Sequence, residues 1–265
     1  NYCMLTEPSN PPAESPAWQA LVAHATDVKA VHLRDLVAGR TLSPRDLKLQ
    51  FGPLFASYAR QRLTDRTLQL LLDLCVERNL QGRVAGLLAG DVVNVTEGRA
   101  ALHTALRTPY ATGDLSAGLT GEVHSERRRM LEFAGALATG RVPVAGRPID
   151  TIVNIGIGGS DLGPRLVADA LHELRRPGLR LEFVSNLDGQ ALFHCLARVD
   201  PASTLFVVAS KSFTTVETLT NADSARQWLE RHGCRDPLAQ FAAVTANTQA
   251  AADFGVRPDR IFRFR

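Results

Sequence analysis

Hydroxyl side chains surround a single lysine at residues 210–215, which read Ser-Lys-Ser-Phe-Thr-Thr. This segment follows the apolar run Thr204–Ala209, whose composition is typical of a buried strand. Thr214 and Glu217 have the spacing of a capping box, which predicts that a helix starts there. Hydroxyl and backbone N–H donors beside a point charge suit a phosphate group. The alternative interpretation is that the hydroxyls only cap the helix and that Lys211 is solvated.

A glycine-rich turn, Gly-Ile-Gly-Gly at residues 156–159, follows another apolar run. Glycines allow a backbone to approach a ligand closely. We expect a helix to begin after the turn, with Pro164 in its first turn, and its N-terminus to offer N–H groups and a positive dipole end to an anion. Ser160 could add a hydroxyl donor. The alternative is that these glycines only permit tight packing of the strand on the helix.

A dinucleotide-binding turn is the main competing interpretation of the glycines. Gly156 and Gly158 match the first two positions of G-x-G-x-x-G, but Asp161 occupies the third. An acidic side chain at the ligand face would repel a pyrophosphate. Glu182 stands early in the next predicted strand, whereas a ribose-binding carboxylate is expected at its end. The sequence therefore disfavours a nicotinamide cofactor.

Short β-branched runs alternate with helical patterns after Arg147, and this alternation is typical of a parallel sheet covered on both faces. The predicted fold class is α/β, a three-layer αβα sandwich with a five-stranded parallel sheet, preceded by an N-terminal helical segment. The predicted strands are 151–157, 181–185, 204–209, 241–246 and 260–264, and the principal helices are 162–174, 190–199 and 215–232. Both polar motifs then lie at the carboxyl ends of strands, where such sheets bind ligands.

The predicted domains are a flexible N-terminal arm at residues 1–16, an N-terminal helical segment at 17–147 and the αβα domain at 148–265. Pro, Ser and Glu dominate the arm. A helix is predicted from Pro16, and another over 64–79 with Thr64 as its N-cap. The expected inward face of the latter helix consists of Leu68, Leu71, Leu72 and Cys75.

Composition excludes several classes of protein. A net charge of +3 over 265 residues is too small to indicate binding to nucleic acid or to a membrane surface. No apolar run approaches the ~18 residues of a membrane span. The four cysteines lack metal-ligand spacing, so we expect no metal and free thiols in a reducing, cytoplasmic compartment.

Four stretches of the chain resemble glucose-6-phosphate isomerases. Residues 154–164 read Asn-Ile-Gly-Ile-Gly-Gly-Ser-Asp-Leu-Gly-Pro and are similar to the family's first glycine loop, while residues 210–215 are similar to its phosphate loop. The segments 94–107 and 183–189 also resemble the family, and the likeness runs from about Trp18 to the last residue. Long ungapped strings of this kind are more specific than any short motif.

The resemblance implies a sugar-isomerase-type αβα domain and a glycolytic and gluconeogenic enzyme. Such an enzyme interconverts glucose 6-phosphate and fructose 6-phosphate through an enediol, needs no cofactor, and forms a cytoplasmic homodimer. The substrate-binding residues that it implies are Gly159, Ser160, Ser210, Lys211, Ser212, Phe213, Thr214 and Thr215. Two positions depart from the family pattern: Ser212 replaces the usual Thr, and Val216 stands where Gln is common.

The resemblance assigns no catalytic residue in this chain. The family's Gly-Gly-Arg segment, its glutamate base, its ring-opening histidine and its C-terminal lysine all follow the position of Arg265, most of them on a second αβα domain. We therefore expect this chain to hold the phosphate but to be inactive alone. The alternative function is a non-catalytic sugar-phosphate sensor, which would not need the matching N-terminal segment.

Overall fold

The structure, a computed structural model, describes residues 11–39, 47–107, 119–144 and 147–264. The chain divides into two compact units, residues 1–104 and 105–265. Most of the predicted arm at residues 1–16 lies outside the described residues. The predicted boundary between residues 147 and 148 stays a prediction. No helix in the described ranges is long and apolar enough to cross a membrane.

The first unit contains four helices and a β-hairpin among its described residues. Their bounds are α1 Pro16–Ala30, α2 Leu33–Ala38, β1 Lys48–Phe51, β2 Leu54–Ser57, α3 Asp65–Glu77 and α4 Leu80–Ala89. The predicted N-cap of α3 is confirmed, because the Thr64 side chain accepts a hydrogen bond from the Thr67 N–H.

The predicted inward face of α3 is wrong in part. Leu72 is 60% exposed, whereas Leu70 is buried. The buried face of α3 runs instead through Thr67, whose hydroxyl lies 2.8 Å from Nε2 of His24 on α1, and through Leu70 one turn later. The contact with α1 therefore decides which side of the helix is covered.

The second unit contains the predicted parallel sheet. The element bounds are α5 Leu119–Ala138, β3 Pro143–Val144, β4 Arg147–Pro148, β5 Thr151–Ile155, α6 Gly159–Ala170, β6 Arg180–Val184, α7 Gly189–Leu196, β7 Thr204–Ala209, α8 Val216–Arg231, β8 Phe241–Thr245, α9 Thr248–Asp253 and β9 Ile261–Arg263. Five strands pair in the order β6-β5-β7-β8-β9, and every pairing is parallel. The predicted α/β fold class is confirmed.

Apolar side chains cover both faces of this sheet. On one face, Val153 and Val208 belong to a buried cluster that includes Leu229 of α8. On the other face, Ile152 packs near Phe133 of α5 in a second cluster. Successive residues of a strand point to opposite faces, so the strands are apolar on both sides. This burial explains why the runs in the sequence are continuous rather than alternating.

Two helix starts differ from the predictions. Helix α6 begins at Gly159, three residues earlier than expected, so Pro164 is its sixth residue and not part of its first turn. Helix α8 begins at Val216 with Thr215 as N-cap, and Thr215 makes no capping bond through its side chain. The predicted capping box at Thr214 does not form, because the Thr214 hydroxyl lies 2.6 Å from the Ser212 hydroxyl instead.

Candidate functional site

The two polar motifs lie side by side at the carboxyl edge of the sheet. Strands β5 and β7 are neighbours, and Ile155 pairs with Val208, so the turn after β5 begins beside the end of β7. A Cβ added at Gly156 would lie 3.0 Å from the Ala209 carbonyl oxygen and 2.9 Å from that of Ser160. Glycine at position 156 is therefore required for the close approach of the two loops.

Helices α6 and α8 each present an uncapped N-terminus at this edge. Six other described α-helices have a side chain that accepts an N-terminal backbone N–H, whereas α6 and α8 have none. Gly158, the N-cap of α6, has φ +60° and ψ −121°, a conformation that favours glycine. The positive ends of two helix dipoles are thus directed to the same edge of the sheet, where an anion would be stabilised.

Hydroxyl groups surround the start of α8 in two pairs. Ser210 is buried, and its Oγ lies 3.1 Å from Oγ1 of Thr215. The Ser212 and Thr214 hydroxyls form the second, exposed pair. Each pair retains further donor capacity, since a hydroxyl both donates and accepts. The predicted residues 210–215 are therefore brought together as a compact donor loop.

Phe213 anchors the loop 210–215 to the core of the sheet unit. Its ring is buried in the core, with its centroid 6.0 Å from that of Phe254. Its backbone is left-handed, with φ +53°, which is uncommon for a residue other than glycine. Any contribution of Phe213 to binding would come through its backbone and not through its ring.

Residues at the end of β8 and directly after it, which the sequence analysis missed, hold the loop in place. The Lys211 carbonyl accepts hydrogen bonds from the Thr245 hydroxyl at 3.1 Å and from the Ala246 N–H at 3.0 Å. Asn247 donates its side-chain amide to the Ser212 carbonyl at 3.2 Å. The Thr-Ala-Asn segment at residues 245–247, where an apolar strand ends, is the signal that could have indicated them.

Asp161 does not face the ligand side, so the prediction that its carboxylate would repel a pyrophosphate is wrong. Its carboxylate is buried and pairs with Arg165 at 2.9 Å, and the Arg165 guanidinium lies 4.8 Å from the centre of the Phe183 ring. Glu182 lies in the middle of β6 and pairs with Arg198 at 2.7 Å. Neither of these two carboxylates stands at the carboxyl end of β6, where a ribose is bound in dinucleotide folds.

Lys211 is the one side chain of the two loops that could act as a general base, and its positive charge suits it to an anion instead. Residues 156–160 and 210–215 contain no carboxylate, histidine or cysteine. The buried cysteine of the sheet unit, Cys195, lies in the core, where desolvation raises the pKa of its thiol to about 11. A thiol with this pKa stays protonated at neutral pH. The geometry supports binding and orientation of an anion and does not itself supply proton transfer.

Known proteins match most of this chain. The family model described as Phosphoglucose isomerase matches residues 57–265. Glucose-6-phosphate isomerase 1 of Chromobacterium violaceum is 44% identical over 257 residues, which are 95% of this chain and 47% of that protein. Glucose-6-phosphate isomerase of Burkholderia pseudomallei is 43% identical over 255 residues, with coverage of 93% and 46%.

A solved structure agrees with the fold. The crystal structure of a glucose-6-phosphate isomerase from Chlamydia trachomatis superposes with a TM-score of 0.73 at 28% identity, over 96% of this chain and 48% of that one. The chain spans about half the length of the relatives that it matches. Since the family model covers most of the chain, the chain belongs to the phosphoglucose isomerase family.

Proposed function

We propose that this chain binds the phosphate group of a sugar phosphate between the turn 158–160 and the loop 210–215. The main support for the proposal is that α6 and α8, which follow the neighbouring strands β5 and β7, both have N-termini without a side-chain cap. The hydroxyls of the loop 210–215 lie beside the start of α8. Backbone N–H groups, hydroxyls and one lysine are the donors that phosphate sites use. Loop and turn meet at the edge of the sheet where ligands are expected.

In this proposal, individual residues have distinct roles. The phosphate is held by the side chains of Ser160, Ser210, Lys211, Ser212 and Thr215. Gly159 and Thr214 shape the pocket, and Phe213 contributes through its backbone.

The proposed reaction is the interconversion of glucose 6-phosphate and fructose 6-phosphate, an aldose–ketose isomerisation through an enediol. The matched relatives carry the name glucose-6-phosphate isomerase. In this reaction a bound phosphate orients the substrate, while the rate depends on a base placed at the moving proton. The chain would supply the orienting half of that site without any cofactor. A homodimeric assembly and a cytoplasmic location are also proposed, and both rest on family membership.

The isomerase role is favoured over a sugar-phosphate sensor. The similarity to isomerases covers 95% of the chain and so includes the helical first unit. A sensor would need only the αβα domain, so this extent of matching supports the isomerase interpretation.

The proposal predicts binding without turnover. Calorimetric titration should show that 6-phosphogluconate binds the chain and that gluconate, which lacks the phosphate, does not. A coupled assay with fructose 6-phosphate should show no isomerisation above the buffer rate, because the two loops contain no carboxylate or imidazole to move the proton. Equal binding of 6-phosphogluconate and gluconate would contradict the phosphate site. Turnover by a sample of verified mass would contradict the prediction that this chain binds the phosphate without catalysing isomerisation.

A further inference from the structure

Helix α6 contains a proline that leaves one carbonyl without its helical partner. Pro164 has no N–H, so it cannot donate to the carbonyl of Ser160, four residues earlier. That carbonyl instead accepts a hydrogen bond of 3.0 Å from the side-chain amide of Asn154 on β5. Because a carbonyl oxygen only accepts, the NH₂ group of Asn154 must be the group that faces it.

The carbonyl held in this way belongs to a residue at the ligand edge. Ser160 is the second residue of α6 and follows Gly158 and Gly159 in the turn after β5. Its orientation depends on a turn in which the Asp161 and Leu162 N–H groups both donate to the Gly158 carbonyl, at 3.0 and 2.8 Å. The bond from Asn154 ties this turn to β5, an inner strand of the sheet.

A second contact on the same side of α6 limits the freedom of the helix. Asn154 pairs in register with Phe183 of β6, and the Arg165 guanidinium lies over the Phe183 ring while it binds Asp161. Asp161 and Arg165 restrain the first turns of the helix, but neither contacts the Ser160 carbonyl in the described hydrogen bonds. Asn154 is the side chain that acts on Ser160 itself.

We propose that Asn154 is a positioning residue for the phosphate site, which orients the Ser160 hydroxyl and the Gly159 N–H through its bond to the Ser160 carbonyl. The inference rests on the proposed phosphate-binding function. Asn154 lies on β5, before the turn, and contacts the turn through the Ser160 carbonyl. Its effect on the ligand therefore passes through Ser160. A residue of this kind sets affinity without touching the phosphate.

A pair of substitutions isolates this hydrogen bond. Asn154→Leu removes the donor at similar size, and Pro164→Ala supplies a backbone N–H that can donate to the Ser160 carbonyl from within the helix. In Asn154→Leu the affinity for 6-phosphogluconate should fall ~10-fold, because a half-buried carbonyl loses its donor. In the double variant the affinity should return to within about threefold of the wild type. Pro164→Ala alone serves as the control and should bind like the wild type.

The rescue separates positioning from packing, since the double variant keeps the leucine in the strand. If Asn154 served only to pack the sheet, the double variant would remain as weak as Asn154→Leu, and the inference would be wrong. Thermal unfolding of each variant would show whether loss of the fold explains a loss of affinity.

Hydrogen exchange tests the same bond without a ligand. The amides of Asp161 and Leu162 should exchange about tenfold faster in Asn154→Leu than in the wild type, and should recover in the double variant. Equal exchange in the wild type and in Asn154→Leu would overturn the inference. If the wild type fails to bind 6-phosphogluconate, the proposed function fails, while the exchange rates still decide whether Asn154 orders the turn.

Discussion

A Gly156→Ala chain is expected to unfold at a lower denaturant concentration than the wild type and to lose most of its affinity for 6-phosphogluconate. The new Cβ would lie 2.9 Å from both Cβ and the carbonyl oxygen of Ser160, and 3.0 Å from the Ala209 carbonyl oxygen. Two of these are backbone atoms, so the loops themselves must move apart. Overpacking of this kind costs about 1–3 kcal/mol of unfolding free energy. It also separates the two halves of the proposed phosphate site.

Gly135→Ala provides the matched control. Gly135 lies inside α5, and a Cβ added there meets no atom within 4 Å apart from its own helix. Alanine in a helix interior is favoured over glycine by about 0.5–1 kcal/mol, so this variant should be more stable and should bind normally. Urea unfolding and calorimetry of both variants make the comparison. Similar stability and similar affinity for Gly156→Ala and Gly135→Ala would show that neither folding nor binding depends on the close approach of the two loops at Gly156.

Lys211→Ala is expected to weaken the binding of 6-phosphogluconate about 10- to 100-fold. A hydrogen bond to a charged group contributes ~1.5–3 kcal/mol, and this loss corresponds to that range of affinity. Lys211 lies in a loop held by Thr245 and Asn247, so the substitution removes the charge while the backbone stays anchored. Unfolding free energy should change little, because the Lys211 side chain is exposed.

The chain has three lysines, and Lys48→Ala is the control for general charge. Lys48 is exposed on β1, in the other compact unit. Calorimetry at two salt concentrations should show a shallower salt dependence for Lys211→Ala than for Lys48→Ala, since an ionic contact to the ligand is screened by salt. If both variants bind with wild-type affinity, Lys211 does not contact the phosphate.

The sheet could be predicted from the sequence because its strands are buried on both faces. The run Thr204–Ala209 coincides with β7, and the other four strands lie within two residues of the predicted bounds. Apolar residues on both faces give each strand a continuous run that turn residues interrupt. The same logic placed both loops at one edge, since parallel strands end on the same side.

Contacts between distant segments could not be predicted in this way. The spacing of Thr214 and Glu217 suggested a cap, but it did not reveal that Ser212 would pair with Thr214. Proline is expected in the first turn of a helix, and this expectation placed Pro164 there. No local signal shows that the Asn154 side chain donates to the Ser160 carbonyl in place of the N–H that Pro164 lacks. Asp161 was assigned to the ligand face because its partner Arg165 and the Phe183 ring come together only in the fold.

The position of a bound phosphate would decide whether the proposed site exists. We would determine a crystal structure of this chain with 6-phosphogluconate and locate the phosphorus atom. We expect a phosphate between the N-termini of α6 and α8, with its oxygens within hydrogen-bonding distance of the Ser160 and Ser212 hydroxyls. A phosphate bound elsewhere, with the turn 158–160 and the loop 210–215 unoccupied by ligand, would contradict this expectation.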